Sequence, residues 1–172
     1  RDKLYRLYWK QRDFRFLIIQ RNSKDSFKLA LKKIPIMMSC ADFCIIPPGD
    51  APTSKRVFDA IQYLCIPVFI ADKITLPFDG SYVDYEKISL QIPSNNIGEL
   101  ASVLRNVTTD EKDEIRRNLR EVKELFKWDY QNPPQDGEAL WILAWSWYDK
   151  HEMLHPYLNN DVTGSLEDSL WR

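Results

Sequence analysis

The sequence predicts an α/β fold in which a Rossmann-like parallel sheet of four or five strands is flanked by helices. Two short apolar runs, residues 43–46 and 66–70, have the length and composition of buried strands. Between them lie a loop rich in Pro, Gly and Asp and a segment with helical spacing of apolar residues. Strand, helix and strand in this order indicate a βαβ unit, because parallel strands need a crossover between them.

The elements before this unit follow from local signals. Residues 3–10 are predicted to end a helix, and residues 13–19 to form a strand. A helix rich in Lys and Leu is expected over about residues 25–33. Pro35 should end that helix, because proline lacks the backbone N–H that helical hydrogen bonding requires.

The crossover helix should bury one stripe of its surface, formed by Val57, Ala60, Ile61 and Leu64. The elements predicted after the βαβ unit are a loop through Pro77, Asp79 and Gly80, a short strand near 87–92, helices near 96–105 and 109–126, a linker at 131–136 and a last helix near 137–151.

Length and charge narrow the class of protein. A chain of 172 residues can bury the core of one domain. Its net charge is −1, and its basic residues are spread out and form no stripe, so we expect no nucleic-acid partner. The chain begins with Arg and shows no signal segment, which suggests that the natural protein starts upstream. Residues 139–148 are too short for a membrane anchor and are expected to form a buried helix.

The start of the crossover helix is the predicted binding site. In a βαβ unit it shares one edge of the sheet with the end of the first strand, where open α/β folds bind ligands. Free N–H groups and the positive end of the helix dipole favour phosphate there. The pattern therefore predicts a cradle for a nucleotide diphosphate. Its candidate residues are Gly49, Asp50, Thr53, Ser54, Lys55, Arg56 and Asp59.

The same block resembles a known family, the exostosins (family 47 of the glycosyltransferases). The family pattern is approximately Phe-Cys-Leu-x-Pro-Arg-Gly, a Ser-x-Arg-x-Phe/Leu-Asp/Glu-Ala helix and Cys-Ile/Val-Pro-Val, which residues 43–68 resemble. The likeness continues through Leu76-Pro77-Phe78 and covers roughly residues 13–150. It implies the C-terminal, donor-binding lobe of a two-lobe transferase with the GT-B fold.

On this resemblance the chain divides into four parts. They are the end of an interlobe or linker helix (1–12), a nucleotide-sugar-binding Rossmann-like lobe (13–130), a linker and C-terminal helix packing back on the lobes (131–155) and an irregular tail (156–172).

The resemblance also assigns roles at the cradle. Ser54 and the neighbouring N–H groups suit the diphosphate, as does the guanidinium of Arg56 through a bidentate fork. Asp59, about one turn further, would accept hydrogen bonds from the ribose hydroxyls. The structural alternative is that these residues are a helix cap, a surface cation and a surface ion pair.

The implied activity is transfer of a sugar, with inversion, from a UDP donor to a glycan or glycoprotein acceptor in the lumen of the Golgi or endoplasmic reticulum. The full-length protein would be membrane-anchored and would supply the missing N-terminal lobe. No Asp-x-Asp metal motif is present, so we expect neither metal nor cofactor, and no catalytic base can be assigned. The alternative is a non-catalytic partner lobe of a glycosyltransferase complex.

The chain departs from the family pattern at three positions, and two of them bear on that alternative. Pro48 stands where the family usually has Arg, so we expect one phosphate contact to be absent. Thr75 stands where most relatives carry a Glu that would face the donor sugar or acceptor, and its loss puts turnover in question more than nucleotide binding. Leu64 replaces a Gly or Ala, which we interpret as a change in core packing.

Cys44 and Cys65 lie near the starts of the two predicted strands, as sheet neighbours or as two small buried residues. The family resemblance implies a disulfide between them, which leaves Cys40 free. Asn106-Val107-Thr108 is an acceptor sequon for N-glycosylation and fits a secretory lumen.

Two further patterns lie near the C-terminus. Residues 151–155, His-Glu-Met-Leu-His, match the zinc-protease motif, which keeps a zinc hydrolase as a remote alternative. Pro156 follows at once and few residues remain to build a cleft, so we expect a structural role. Trp141, Trp145 and Trp147 could stack on sugars, but their helical spacing favours packing at an interface.

Overall fold

The computed structural model describes residues 2–16, 24–47 and 55–127, and beyond them residues 138, 139, 143, 144 and 148. The chain divides into two compact units, Arg1–Phe126 and Lys127–Arg172. In the first unit the helices are α1 (Asp2–Tyr8), α2 (Lys24–Ser39), α3 (Lys55–Gln62), α4 (Tyr85–Ile88), α5 (Leu100–Asn106) and α6 (Thr109–Val122). The strands are β1 (Phe43–Ile46), β2 (Ile66–Ile70) and β3 (Leu90–Ile92), and two 3₁₀ helices cover Ser94–Glu99 and Lys123–Phe126.

The sheet is parallel, with the strand order β1-β2-β3. The predicted βαβ unit is confirmed, with both strands at the predicted residues. All five residues of the central strand β2 are buried, as expected for a parallel strand covered on both faces. The described ranges contain three strands, fewer than predicted.

Side chains alternate between two cores on opposite faces of the sheet. One core contains Phe69 of β2 together with buried residues of α3 and α6. The other contains Val68 and Ile70 with buried residues of α1 and α5. The fold is thus a small parallel sheet flanked by helices, as the sequence predicts. None of the helices within the described ranges is long and apolar enough to cross a membrane.

Two predicted strands differ from the structure. Residues 13–16 form no strand, and the remainder of that segment lies outside the described residues. The strand predicted near 87–92 begins only at Leu90, because Lys87 and Ile88 belong to α4. Asp84 caps this short helix by accepting a hydrogen bond from the backbone N–H of Glu86 at 3.2 Å.

The prediction that Pro35 ends α2 was wrong, since the helix continues to Ser39. Proline removes one backbone hydrogen bond but not the helical dihedral angles. The turn after Pro35 is stabilised by packing of Met38 against the core that contains Phe69. The hydroxyl of Ser39 and the N–H of Cys40 both donate to the carbonyl of Ile36, at 3.1 and 3.2 Å. Tertiary contacts therefore override the local signal.

The junction between α5 and α6 is fixed by a capping box. The hydroxyl of Thr108 accepts from the backbone N–H of Glu111 at 3.3 Å, and the Glu111 carboxylate accepts from the N–H of Thr108 at 2.7 Å. One turn further, Lys112 pairs with Asp42 at 3.0 Å, and Arg116 also pairs with it. Hydrogen bonds from Arg116 and Lys112 lower the pKa of Asp42. Since Asp42 directly precedes β1, these pairs fix the start of α6 at the amino-terminal edge of the sheet.

In the second unit, the described residues include a buried carboxylate. Glu138 is buried and accepts a hydrogen bond from the ammonium of Lys127 at 2.7 Å, so its charge is compensated. The backbone N–H of Ala139 donates to the carbonyl of Lys127 at 3.3 Å. The predicted tryptophan stripe and the residues 151–172 lie outside the described residues.

The end of α3 is a Schellman motif with leucine at the position that favours glycine. Leu64 has φ of 55°, its N–H donates to the carbonyl of Ile61 at 3.1 Å, and the N–H of Cys65 donates to that of Ala60 at 3.0 Å. Leu64 packs against the core that contains Phe69, as interpreted from the sequence, and its backbone is strained in addition. A Gly, one of the two residues expected here from the family pattern, would suit the left-handed backbone, which costs leucine roughly 1–2 kcal/mol.

The Schellman motif predicts that Leu64→Gly is more stable than Leu64→Ala by about 1 kcal/mol, because only glycine relieves the positive φ. Urea unfolding of both variants measures the difference. Tyr63 has no positive φ and is the matched control, since there Gly should be less stable than Ala. Equal stability of the two Leu64 variants would contradict the strain.

A disulfide joins Cys44 and Cys65, whose Cα atoms are 5.6 Å apart. Cys44 pairs in register with Pro67, so the bridge runs diagonally from β1 to the residue before β2. Among the described cysteines, only Cys40 is free, and it is exposed. The pairing implied by the family resemblance is therefore present, and it ties the two strands together across the crossover.

Replacing Cys44 and Cys65 together by Ser should lower the free energy of unfolding by about 3 kcal/mol, because the bridge closes a loop with a separation of 21 residues. Urea unfolding of oxidised protein measures the loss, and Cys40→Ser is the control that should change little. Three reactive thiols in protein made under oxidising conditions would contradict the bridge.

Candidate functional site

The carboxyl ends of the three strands define one edge of the sheet, and α3 begins on the same side. This follows from connectivity, because the chain leaves β1 at Ile46 and must return along α3 to start β2 in parallel. Backbone N–H groups in the first turn of a helix have no partner within the helix, and the dipole is positive there. The edge can therefore receive an anion.

Three predicted site residues lie on the described part of α3. Lys55 and Arg56 are exposed in the first turn, and Asp59 is half-buried one turn later. Val57 and Ala60 are fully buried against the sheet, which leaves Arg56 and Asp59, three residues apart, on one accessible side. A cation near the helix start and a carboxylate one turn deeper can contact different parts of one elongated polar ligand.

The other predicted cradle residues, Gly49, Asp50, Thr53 and Ser54, lie outside the described residues, as does Pro48. Their role in phosphate binding stays a prediction. The described part of the edge thus contains both cations of the predicted set and one of its two carboxylates, Asp59.

The segments after β2 and β3 are tied together at the same edge. The side-chain amide of Gln91 donates to the carbonyl of Ala71 at 2.9 Å. The carboxylate of Asp72 accepts from the backbone N–H of Ser94 at 2.9 Å, at the start of the first 3₁₀ helix. Sequence reasoning missed Asp72, although a carboxylate just after a buried strand is a recognisable signal.

A strained turn follows β2. Phe78 has φ of 63°, a rare conformation for a bulky residue, and such strain is often found at functional sites. The turn is held by a hydrogen bond from the Tyr85 hydroxyl to the carbonyl of Pro77 at 3.0 Å and by edge-on contact of Phe78 with Tyr82. Burial raises the pKa of Tyr85, which keeps its hydroxyl a donor.

Three aromatic rings connect this turn to α3. Phe126 makes edge-on contacts with Phe58 and with Phe78, with centroids 5.6 Å apart in each pair. The carbonyl of Lys123 accepts from the Gln62 side chain at 2.9 Å, so Phe126 lies nearer the start of α3. The packing holds the strained turn beside the helix that carries Arg56 and Asp59.

Thr75, where the family resemblance leads us to expect Glu, is exposed just before this turn. A hydroxyl there has no charge at neutral pH and is a poor general base, whereas a carboxylate could accept a proton. The chemistry expected from a Glu at this position is therefore not available from Thr75.

Metal binding is the other function considered from the sequence, because of the zinc-protease motif. Within the described ranges, no group of three or more His, Cys, Asp or Glu residues is placed to hold a metal ion. The His-Glu-Met-Leu-His segment lies outside those ranges, so its predicted structural role stays a prediction.

Comparisons with known proteins identify the family of the chain. Residues 1–107 match the family model described as the Exostosin GT47 domain. In Arabidopsis thaliana, "Probable arabinosyltransferase ARAD1" is 36% identical over 107 residues, which cover 60% of this chain and 23% of that protein. From the same organism, "Probable glucuronoxylan glucuronosyltransferase IRX7" is 35% identical over 123 residues, which cover 72% of this chain and 26% of that protein. "Probable beta-1,4-xylosyltransferase IRX10", also from this organism, is 33% identical over 105 residues, which cover 59% of this chain and 24% of that protein.

The chain spans about a quarter of the length of these curated relatives. Their names share one reaction, transfer of a sugar, and differ in the sugar transferred. The matched residues include β1, α3 and β2, and therefore the described part of the candidate site.

Proposed function

Since this chain belongs to the exostosin GT47 family, we propose that it is the donor-binding lobe of a glycosyltransferase that takes a sugar from a UDP donor. The observation that supports this most directly is the position of Lys55, Arg56 and Asp59 on a helix that begins at the carboxyl edge of the sheet. The diphosphate lies at the start of α3, and the ribose lies one turn deeper.

In the proposed reaction an acceptor hydroxyl of a glycan or glycoprotein attacks the anomeric carbon of the donor sugar. The new C–O bond forms as the bond from that carbon to the β-phosphate breaks, with inversion, and a base takes the hydroxyl proton. Negative charge grows on the departing UDP. Arg56 and the N–H groups of the first turn of α3 stabilise this charge, so neither metal nor cofactor is required.

Several further features belong to the same proposal. The lobe pairs with a second, N-terminal lobe in a GT-B arrangement, and the second lobe contributes to the acceptor site. The full-length protein is anchored in a membrane of the Golgi or endoplasmic reticulum. The Cys44–Cys65 disulfide supports a lumenal location, since disulfides persist in oxidising compartments.

A non-catalytic partner lobe is the second candidate function. Exposed Thr75 favours it, because the position that could carry a carboxylate beside the site carries a hydroxyl instead. Release of UDP from a UDP-sugar by the full-length protein supports the enzyme. Tight UDP binding without release, across donors and glycan acceptors, supports the partner lobe.

The site assignment predicts that Arg56→Ala and Asp59→Ala each weaken UDP binding by roughly 1.5–3 kcal/mol, the range for hydrogen bonds to charged groups. The two losses should differ in kind. Arg56→Ala should leave uridine binding nearly unchanged, because uridine has no phosphate, whereas Asp59→Ala should weaken uridine and UDP alike. Titration calorimetry of the full-length protein measures all four affinities.

Matched controls are exposed residues of α6, with Arg117→Ala for the cation and Glu114→Ala for the carboxylate. Both should bind UDP as the parent does. Parental UDP affinity in Arg56→Ala would show that α3 is only a structural crossover.

A further inference from the structure

Asn106 is the acceptor residue of an exposed sequon. Asn106-Val107-Thr108 is the one Asn-x-Ser/Thr sequence without Pro at x in the 172 residues. Asn106 is the last residue of α5 and Thr108 is the N-cap of α6, so the sequon forms the junction between two helices. Asn106 and Thr108 are exposed, and Val107 is extended, with φ of −67° and ψ of 118°.

The surface beside Asn106 has room for a large substituent. Ser102 and Val103 precede Asn106 by four and three residues and therefore lie on its side of α5. Both are exposed, Val103 to 40%. A glycan on Asn106 would lie over an apolar side chain that is otherwise open to water.

The junction between α5 and α6 lies at the amino-terminal ends of the strands, and the proposed donor site lies at their carboxyl ends. Lys112, one turn into α6, contacts Asp42, which directly precedes β1. This is the amino-terminal edge of the sheet, whereas α3 begins at the carboxyl edge. A glycan on Asn106 would therefore leave the start of α3 open.

The disulfide provides an independent argument about the compartment. A bridge between Cys44 and Cys65 fits a chain that folds in an oxidising lumen. The oligosaccharide transferase that modifies sequons acts in the same compartment.

We propose that Asn106 carries an N-linked glycan. The co-reactant is a polyprenyl-diphosphate-linked oligosaccharide. The side-chain nitrogen of Asn106 attacks the anomeric carbon of its reducing-end sugar, forming a C–N bond as the C–O bond to the diphosphate breaks. The polyprenyl diphosphate leaves, the amide loses one proton to a base of the transferase, and nothing is oxidised or reduced.

Transfer to Asn106 precedes folding of the junction. In the folded chain the Thr108 hydroxyl donates to the Glu111 carboxylate at 2.8 Å and accepts from the Glu111 N–H. The hydroxyl that identifies the sequon is thus engaged in the capping box once α6 forms. Modification therefore occurs on the extended chain, and the capping box forms afterwards.

The test is expression of the full-length protein through the secretory pathway of a eukaryotic cell, followed by peptide mapping before and after peptide N-glycosidase treatment. The peptide containing Asn106 should carry a glycan, and enzymatic release should convert Asn106 to Asp. Asn106→Gln should abolish this glycan. Asn95→Gln, which changes an exposed asparagine outside any sequon, should retain it.

Thr108→Ser keeps both a sequon and a hydroxyl cap and should remain glycosylated, whereas Thr108→Ala should not. Asn106→Gln should bind UDP like the parent, because the glycan is on the opposite edge; this comparison separates the glycan proposal from the donor-site proposal. An unmodified Asn106 in protein that has passed through the secretory pathway and contains the Cys44–Cys65 disulfide would overturn the proposal.

Discussion

Parallel pairing of β1 with β2 is the constraint on which the rest of the structure depends. Parallel neighbours cannot be joined by a tight turn, so the chain must cross one face of the sheet before β2 begins. The crossover buries Val57, Ala60 and Ile61 of α3 completely. Because α3 packs in this way, its start must lie at the carboxyl edge. The position of the candidate site is therefore a consequence of strand pairing.

The return from α3 to β2 combines a stabilising bond with a strained residue. Leu64 adopts a left-handed backbone that costs roughly 1–2 kcal/mol, while the adjacent Cys65 forms a bridge that contributes about 3 kcal/mol. The stabilisation by the bridge exceeds the cost of the strain. The Schellman hydrogen bonds supply donors to two carbonyls that would otherwise have no partner at the end of the helix. The turn at Phe78 is held differently, by aromatic packing against Phe126 and a hydrogen bond from Tyr85.

The sequence predicts the βαβ unit correctly because each signal there is local and agrees with its neighbours. Apolar runs, a helical stripe and a Pro-Gly loop all indicate one topology. The sequence analysis missed three features, for different reasons. Packing of Met38 on the core stabilises the turn of α2 that follows Pro35. Asp84 caps a turn within a segment that looked like strand. The positive φ of Leu64 depends on how α3 must end to reach β2, which residue type alone does not reveal. Lys55, Arg56 and Asp59 are found on α3 as predicted, and their ligand stays a proposal.

Amide hydrogen exchange of the full-length protein, measured with and without saturating UDP, tests whether UDP binds at the start of α3. Binding there should slow exchange in peptides that cover the end of β1 and the first turn of α3. Exchange should stay unchanged in peptides that cover the end of α5 and the first turn of α6, at the opposite edge. Protection confined to this junction, or unchanged exchange along α3 with UDP bound, would show that UDP does not bind at the start of α3.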